Sequence, residues 1–220
     1  MSLIPQLLPL EKNSEKRKKD LLTNIIKMLT NRNLLKKENL DENINSFINQ
    51  NADNDVYKIK LDNTELYYDK NIENMYYVKL LYQKITSISK SSNIGDILYS
   101  KRAAPKLIIA SGITHKAQQQ LHTEFPNIEV FKEADLMIDI VSHISVPKHI
   151  LLTEEETAIC LQDYLLKKRE IPKILLSDPI SKYFNAKVGQ IFRIIRPSEL
   201  SCESIYYRLV IKGSTSDDRK

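Results

Sequence analysis

The side chains that could carry catalysis are few and scattered. His115, His122, His143 and His149 do not pair with one another, or with a cysteine, at metal-ligand spacing. Two cysteines, Cys160 and Cys202, exclude a disulfide scaffold and a cysteine-rich zinc site. Cys160 falls on the apolar side of a helical pattern, where a thiol serves as a small buried hydrophobe. Glu154, Glu155 and Glu156 are consecutive at a helix start and point in different directions. They suit capping and dipole support, not a convergent acid pair. A metal-dependent nuclease needs carboxylates on neighbouring strands, and the run KLIIASG at 106–112 has none. Four glycines are too few for a Gly-rich phosphate loop. These residues predict a chain with no catalytic, metal or cofactor site of its own.

The charged residues offer contact chemistry instead. The formal net charge is +5, from 33 Lys and Arg against 28 Asp and Glu. Residues 1–145 hold 20 basic against 18 acidic residues, and residues 146–220 hold 13 against 10. Neither part is a basic arm, so nucleic-acid contacts would come from local patches or from a larger assembly. Lys101, Arg102, Lys106, His115 and Lys116 form one such patch in the sequence. A loop that opens a helix there can approach phosphate, and a solvated basic edge is the plainer reading. Arg193 and Arg196 interrupt the apolar run Ile191, Phe192, Ile194 and Ile195. Arginine on such a strand fits a bidentate carboxylate pair at an interface, an internal salt bridge, or solvent.

Elements must position these groups. At 220 residues, 42% hydrophobic and 28% charged, the chain can bury a core without staples. No apolar run approaches the ~20 residues that span a bilayer. The opening MSLIPQLLPL lacks the basic flank and cleavage pattern of a signal peptide. The spacing of Leu21, Leu22, Ile25, Ile26 and Leu29 predicts a helix over 11–30. Ile44, Phe47 and Ile48 predict another over 41–49. Short strands are expected at Val56–Leu61 and Leu66–Tyr68, turning at Asp62, Asn63 and Thr64. Tyr76, Val78, Leu80, Leu81 and Ile85 suggest a helix over 73–87, and Ser87–Asp96 a loop.

The pattern then changes to an α/β rhythm. Lys106–Ala110 reads as a doubly buried strand ended by Gly112, and Thr114 as the cap of a helix over Lys116–His122 ended by Pro126. Ile128–Phe131 and Leu136–Val141 are further strand candidates. Thr153–Glu156 is a capping box before an apolar-periodic run of Ile159, Leu161, Tyr164 and Leu165. Asp178-Pro179 is an N-cap with proline at the first helical position, Asn185 suits a left-handed C-cap, and Gly189 a tight turn. Gln190–Ile195 and Ser204–Ile211 alternate as two strands.

The final third holds VPKHILLTEEE, LSDPISKYF, AKVGQIFRIIRPSE and YYRLV in fixed order over 146–210. This succession resembles the fifth-subunit family of eukaryotic nuclear RNA polymerases, whose archaeal counterpart has only the C-terminal assembly module. Upstream, DLMIDIVSHISVPKH at 135–149, the stretch Lys106–Leu121 and MLTNRNLL at 28–35 resemble the family's inter-domain connection and N-terminal jaw. With a jaw present, the chain resembles the eukaryotic-type, two-domain form. The family usually has proline where this chain has His115, glycine at Asn185 and arginine at Val188. Such departures, with 15 of 16 asparagines before residue 130, fit a divergent member from a large DNA virus or a protist.

The resemblance implies an α/β jaw domain with a helical start over 1–145, a small α+β assembly domain over 146–213, and a flexible tail over 214–220. It implies a noncatalytic polymerase subunit that docks to the largest subunit, meets other polymerase subunits and braces downstream double-stranded DNA through weak backbone contacts. No membrane and no cofactor enter this picture. Thr114, His115, Lys116 and Lys106 become the DNA-contact candidates. Arg196, Pro197, Ser198, Tyr207 and Arg208 become candidates for the subunit interface or for folding its turn. The place of action would be the nucleus for a cellular source, or the viral factory and virion for a viral one. A free-standing nucleic-acid-binding regulator that kept the assembly module is the alternative, and a degenerate nuclease a more distant one.

Overall fold

A computed structural model of the chain describes residues 14–50, 55–63, 75–89, 94–100, 104–125, 127–198 and 201–213. It divides into two compact units, 1–138 and 139–220. Residues 139–145 thus group with the second unit, because Ile140 and Val141 pack on its core. The expected strand at Leu66–Tyr68, Thr64, Lys101, Arg102, Pro126 and the tail 214–220 lie outside the described residues.

The first unit opens with α1 (Ser14–Asn31), whose stripe of Leu21, Leu22, Ile25, Ile26, Met28 and Leu29 is buried. It ends where Asn33 takes the left-handed conformation (φ 60°). Leu34 N then donates to Leu29 O and Asn33 N to Thr30 O, which satisfies two of the last carbonyls. Helix α2 (Leu40–Ile48) follows, with Phe47 buried edge-on against Tyr57, 5.2 Å between ring centres. Both helices match the periodicity.

A mixed sheet in the order β1-β2-β3-β4 forms the middle of this unit. Strand β1 (Val56–Lys60) pairs antiparallel with β2 (Met75–Ile85). Strand β3 (Lys106–Ile113) runs parallel to β2, and β4 (Ile128–Lys132) runs parallel to β3. Helix α3 (Gly95–Ser100) lies between β2 and β3 in the chain, and α4 (His115–Glu124) between β3 and β4. The helix expected over 73–87 is therefore a strand. Its near-continuous run Tyr76–Leu80 is buried, β2 is an inner strand of the sheet, and such a run fits a strand covered on both faces as well as a helix. The expected loop stops earlier, since Gly95 and Asp96 open α3. Gly112 does not end β3, which continues to Ile113. One core of this sheet gathers Ile108, Ala110, Ala117, Leu121, Phe125 and Ile128.

The expected strand over Leu136–Val141 is also absent. Residues Glu133–Leu136 form α5, held to α1 by Asn24 Nδ2 donating to Leu136 O at 2.9 Å. Asp139 then makes a turn, accepting from Ser142 N and Ser142 Oγ.

The second unit is built on the sheet β5-β7-β8-β6. Its strands are β5 (Lys148–Leu151), β6 (Lys173–Leu175), β7 (Ile191–Ser198) and β8 (Cys202–Ile211). Strands β5 and β8 are antiparallel to β7, while β6 is parallel to β8. Helix α6 (Glu154–Asp163) begins at the full capping box: Thr153 Oγ1 accepts from Glu156 N, and Glu156 Oε2 accepts from Thr153 N. Helix α7 (Pro179–Tyr183) begins at Asp178, whose carboxylate accepts from Ile180 N at 2.9 Å. It closes with Asn185 at φ 50°, and Gly189 turns the chain at φ 93°. One sheet face buries Phe192, Ile194, Val210, Ile174, Ile180 and Ala186. The other carries Ile191, Leu209, Leu152 and Ile171, with Cys160 and Leu161 of α6 against them. The apolar run on α6 is only partly inward: Ile159, Tyr164 and Leu165 are exposed, and Leu165 takes the left-handed C-cap position at φ 51°. Thr157, Cys160 and Leu161 make the inner face instead.

Candidate partner and nucleic-acid interfaces

Strand alternation decides where the second unit's candidates point. Residues opposite one another share a face, and successive residues do not. Arg196 faces Ser204, Ile194 faces Tyr206 and Phe192 faces Arg208, so Arg196, Ser198 and Arg208 lie on the Phe192 side. Pro197 and Tyr207 lie on the opposite side, Tyr207 across from Arg193. The five residues therefore form two sets back to back.

On the Phe192 side, the exposed Arg196 guanidinium sits over the Tyr206 ring, 5.0 Å from its centre. His149 is paired with Ile194 on this side and packs edge-on to Phe192 at 6.0 Å. Burial holds its imidazole below the ordinary histidine range, the Pro147 carbonyl and Asp178 oppose that, and Arg208 and Arg196 add to it. Ser198 sits at the hairpin tip, where its Oγ accepts from Ser201 N at 3.4 Å. On the other side, Tyr207 packs tilted against Tyr164 with ring centres 5.6 Å apart. Burial, then the Tyr164 hydroxyl, pushes the Tyr207 phenol up to about 12. Arg193 beside it has a buried Nε with no hydrogen-bond partner among the described residues. His149, Tyr206 and Tyr164 do not stand out from sequence as interface residues. Period-two alternation applied to both faces is the signal that finds the first two.

In the first unit, the DNA candidates separate by strand end. Thr114 caps α4: its Oγ1 accepts from Ala117 N at 3.4 Å and donates to the Thr86 carbonyl at 3.1 Å, while its N donates to Ile85 O. The hydroxyl is occupied, so its work is to fix the helix start. His115 and Lys116 follow it, both exposed. Lys84, hidden by the helical reading of β2, is exposed across from Gly112 and adds a cation to the same sheet end.

Lys106 is a correction. It opens β3, eight residues before Thr114, which puts it roughly 25 Å away at the far end of the strand. Its side chain is buried, and its Nζ donates to the Ala104 carbonyl at 3.1 Å. Burial lowers its pKa from 10.5 to about 8. A group with no surface has nothing to offer a phosphate. Between pH 8 and 10.5 the unfolded chain holds this proton and the folded chain does not. Stability therefore rises with pH across that window, and the penalty is constant below it. We expect Lys106→Met to stabilise the first unit by about 2 kcal/mol at pH 7, after about 1 kcal/mol for lost hydrogen bonds. It should also flatten the rise. Urea unfolding at pH 7 and pH 10 checks both, and a rise that survives the substitution would assign it elsewhere.

A cleft of about 270 Å³ lies between α1 and the sheet, lined by Leu21, Leu80, Tyr82 and Ile109 among others. Its rim cations are paired: Arg17 with Glu133 at 3.5 Å and Lys18 with Asp55 at 3.0 Å. Among the described residues, no group of three or more His, Cys, Asp or Glu is placed to hold a metal. No helix among them is long and apolar enough to cross a membrane.

Comparison with known proteins adds descent to this geometry. Residues 138–210 match the family described as RNA polymerase Rpb5, C-terminal domain, and fall almost wholly in the second unit. The chain is 40% identical over 107 residues to the DNA-directed RNA polymerases I, II, and III subunit RPABC1 of Caenorhabditis briggsae and of Caenorhabditis elegans. That match covers 48% of this chain, which spans about half the length (51%) of the nematode relatives. It is 33% identical over 210 residues to DNA-directed RNA polymerase subunit 5 of Acanthamoeba polyphaga mimivirus. That likeness covers 93% of this chain and 97% of the relative, so it takes in both units. The chain belongs to the family of RNA polymerase subunit 5.

Proposed function

We propose that this chain is a noncatalytic subunit of a multisubunit DNA-directed RNA polymerase. The second unit is the assembly module that docks to the largest subunit, and the first is the jaw that braces downstream duplex. The reading rests on one observation: a viral polymerase subunit matches the chain almost end to end, across both units. Phosphodiester synthesis lies with other subunits. The site of action is the viral factory and virion for a viral source, or the nucleus for a cellular one. A tagged copy should co-elute with the two largest polymerase subunits at equal stoichiometry. Elution of the chain alone would favour the free-standing regulator.

The DNA-facing part of the jaw is the end of the sheet that carries Lys84, His115 and Lys116, set in place by the Thr114 cap. Its contacts are to backbone phosphate and carry no sequence information. Replacing Lys116 by alanine should lower the slope of log affinity against log salt by about 0.9 for the assembled enzyme on downstream duplex. Filter binding over a salt series reads it, and an unchanged slope would remove Lys116 from the interface.

A further inference from the structure

Strand β8 is ten residues long, but its outer neighbour β6 has only three and covers Leu209–Ile211 alone. The ladder stops at Pro172, which accepts from Leu209 N and has no N–H to give back. Val210 N donates to Gln190 O on the β7 side, so even-numbered residues of β8 bond to β7 and odd-numbered ones face outward. The outward N–H and C=O of Ile205 and the N–H of Tyr207 meet no partner strand among the described residues. Glu203 is different: its N and O are taken by Ser201.

Two other strand edges, β1 and β5, carry guards among the described residues, and the β8 edge carries none there. At β1, the Gln50 side chain takes both backbone groups of Lys58, accepting from its N at 2.9 Å and donating to its O at 3.2 Å. Strand β5 has four residues and is preceded by Pro147. The stretch Glu203–Tyr207 has no proline and no lysine, and its apolar side chains are open: Ile205 is 50% and Tyr206 48% exposed. A long unguarded apolar edge is a template for a further strand.

We propose that this edge takes an extended segment of a polymerase core subunit, which adds as a strand beside Glu203–Tyr207. The inference rests on the assembly reading above and names the surface it uses. The occupant's chemistry follows from the two faces. Residues over Ile205 and Tyr207 meet a face that is apolar at those two side chains, with Arg193 across the sheet from Tyr207 and Glu203 at the hairpin end. Residues on the other face stand beside Ser204 and Tyr206 and reach Arg208 diagonally, with Arg196 one strand further in, and the described residues of that face on β7 and β8 include no carboxylate. The segment therefore alternates apolar with acidic side chains.

Ile205→Pro removes the outward N–H while sparing the bonds of β8 to β7, as proline on an edge allows. Ile205→Thr keeps the backbone. With tagged full-length chain and the polymerase core of its source, the proline variant should be recovered with the core at least tenfold less than wild type. The threonine variant should stay within about twofold. Amide exchange at Ile205 and Tyr207 in the wild-type chain should slow at least tenfold on assembly. Exchange decides the matter if the proline variant does not fold. Wild-type recovery of Ile205→Pro in folded form, or equal exchange in free and assembled chain, would overturn the edge and leave the subunit reading standing. Failure of the wild-type chain to join the core would overturn both.

Discussion

Glu129→Ala is expected to destabilise the first unit by about 3–5 kcal/mol, which is much of what holds a domain of this size together. Arg32, just past the end of α1, reaches Glu129 on β4 with two parallel bonds, Nη1 to Oε1 at 2.9 Å and Nη2 to Oε2 at 2.7 Å. Tyr76 Oη adds a third at 3.3 Å. The Arg32 side chain is 2% exposed, so removal of Glu129 takes its bidentate carboxylate from a buried charge. The pair staples helix to sheet across 97 residues of sequence. Arg32→Met combined with Glu129→Leu should recover most of the loss, because it removes both charges and their desolvation cost together. A double-mutant cycle by chemical denaturation measures this. A loss under about 1 kcal/mol for Glu129→Ala would mean that the pair contributes little beyond a surface bridge.

Phe192→Ala is expected to cost the second unit about 3–5 kcal/mol. The ring is fully buried among Ile174, Ile180, Ile194 and Val210, and meets Phe184 at 5.8 Å as well as His149. A unit this short buries a smaller share of its chain than a large domain, so its margin is thin. The variant should melt far below wild type by circular dichroism and lose its association with polymerase, while the first unit unfolds as before. A second unit that melts normally would show that the cavity collapses, or that the core lies elsewhere.

The second unit is more legible in the sequence than the first, for a physical reason. Capping boxes, Asp-Pro starts and left-handed C-caps are local chemistry: Thr153 and Glu156, Asp178 and Pro179, and Asn185 act within a few residues. Strand β2 is decided by partners far along the chain, Val56–Lys60 on one edge and Lys106–Ile113 on the other. Its spacing of Tyr76, Val78, Leu80, Leu81 and Ile85 satisfies a helix until those neighbours are known. Lys106 misleads in the same way: a lysine at a strand start reads as surface, and only the packing around it shows that it is buried. For the interface candidates, the motif order picks out Arg196, Pro197, Ser198, Tyr207 and Arg208 but not the face each residue takes. Alternation along the paired strands sends Pro197 and Tyr207 to the other side of the sheet.

The central question is whether this chain is held in a transcribing enzyme through its second unit. The direct measurement is the subunit stoichiometry of polymerase isolated through a tag on its second-largest subunit, from cells or factories expressing wild-type chain or Phe192→Ala. One copy of the wild-type chain per enzyme and loss of the variant is the predicted result. Polymerase that transcribes without this chain, or that retains Phe192→Ala at one copy despite an unfolded second unit, would contradict it.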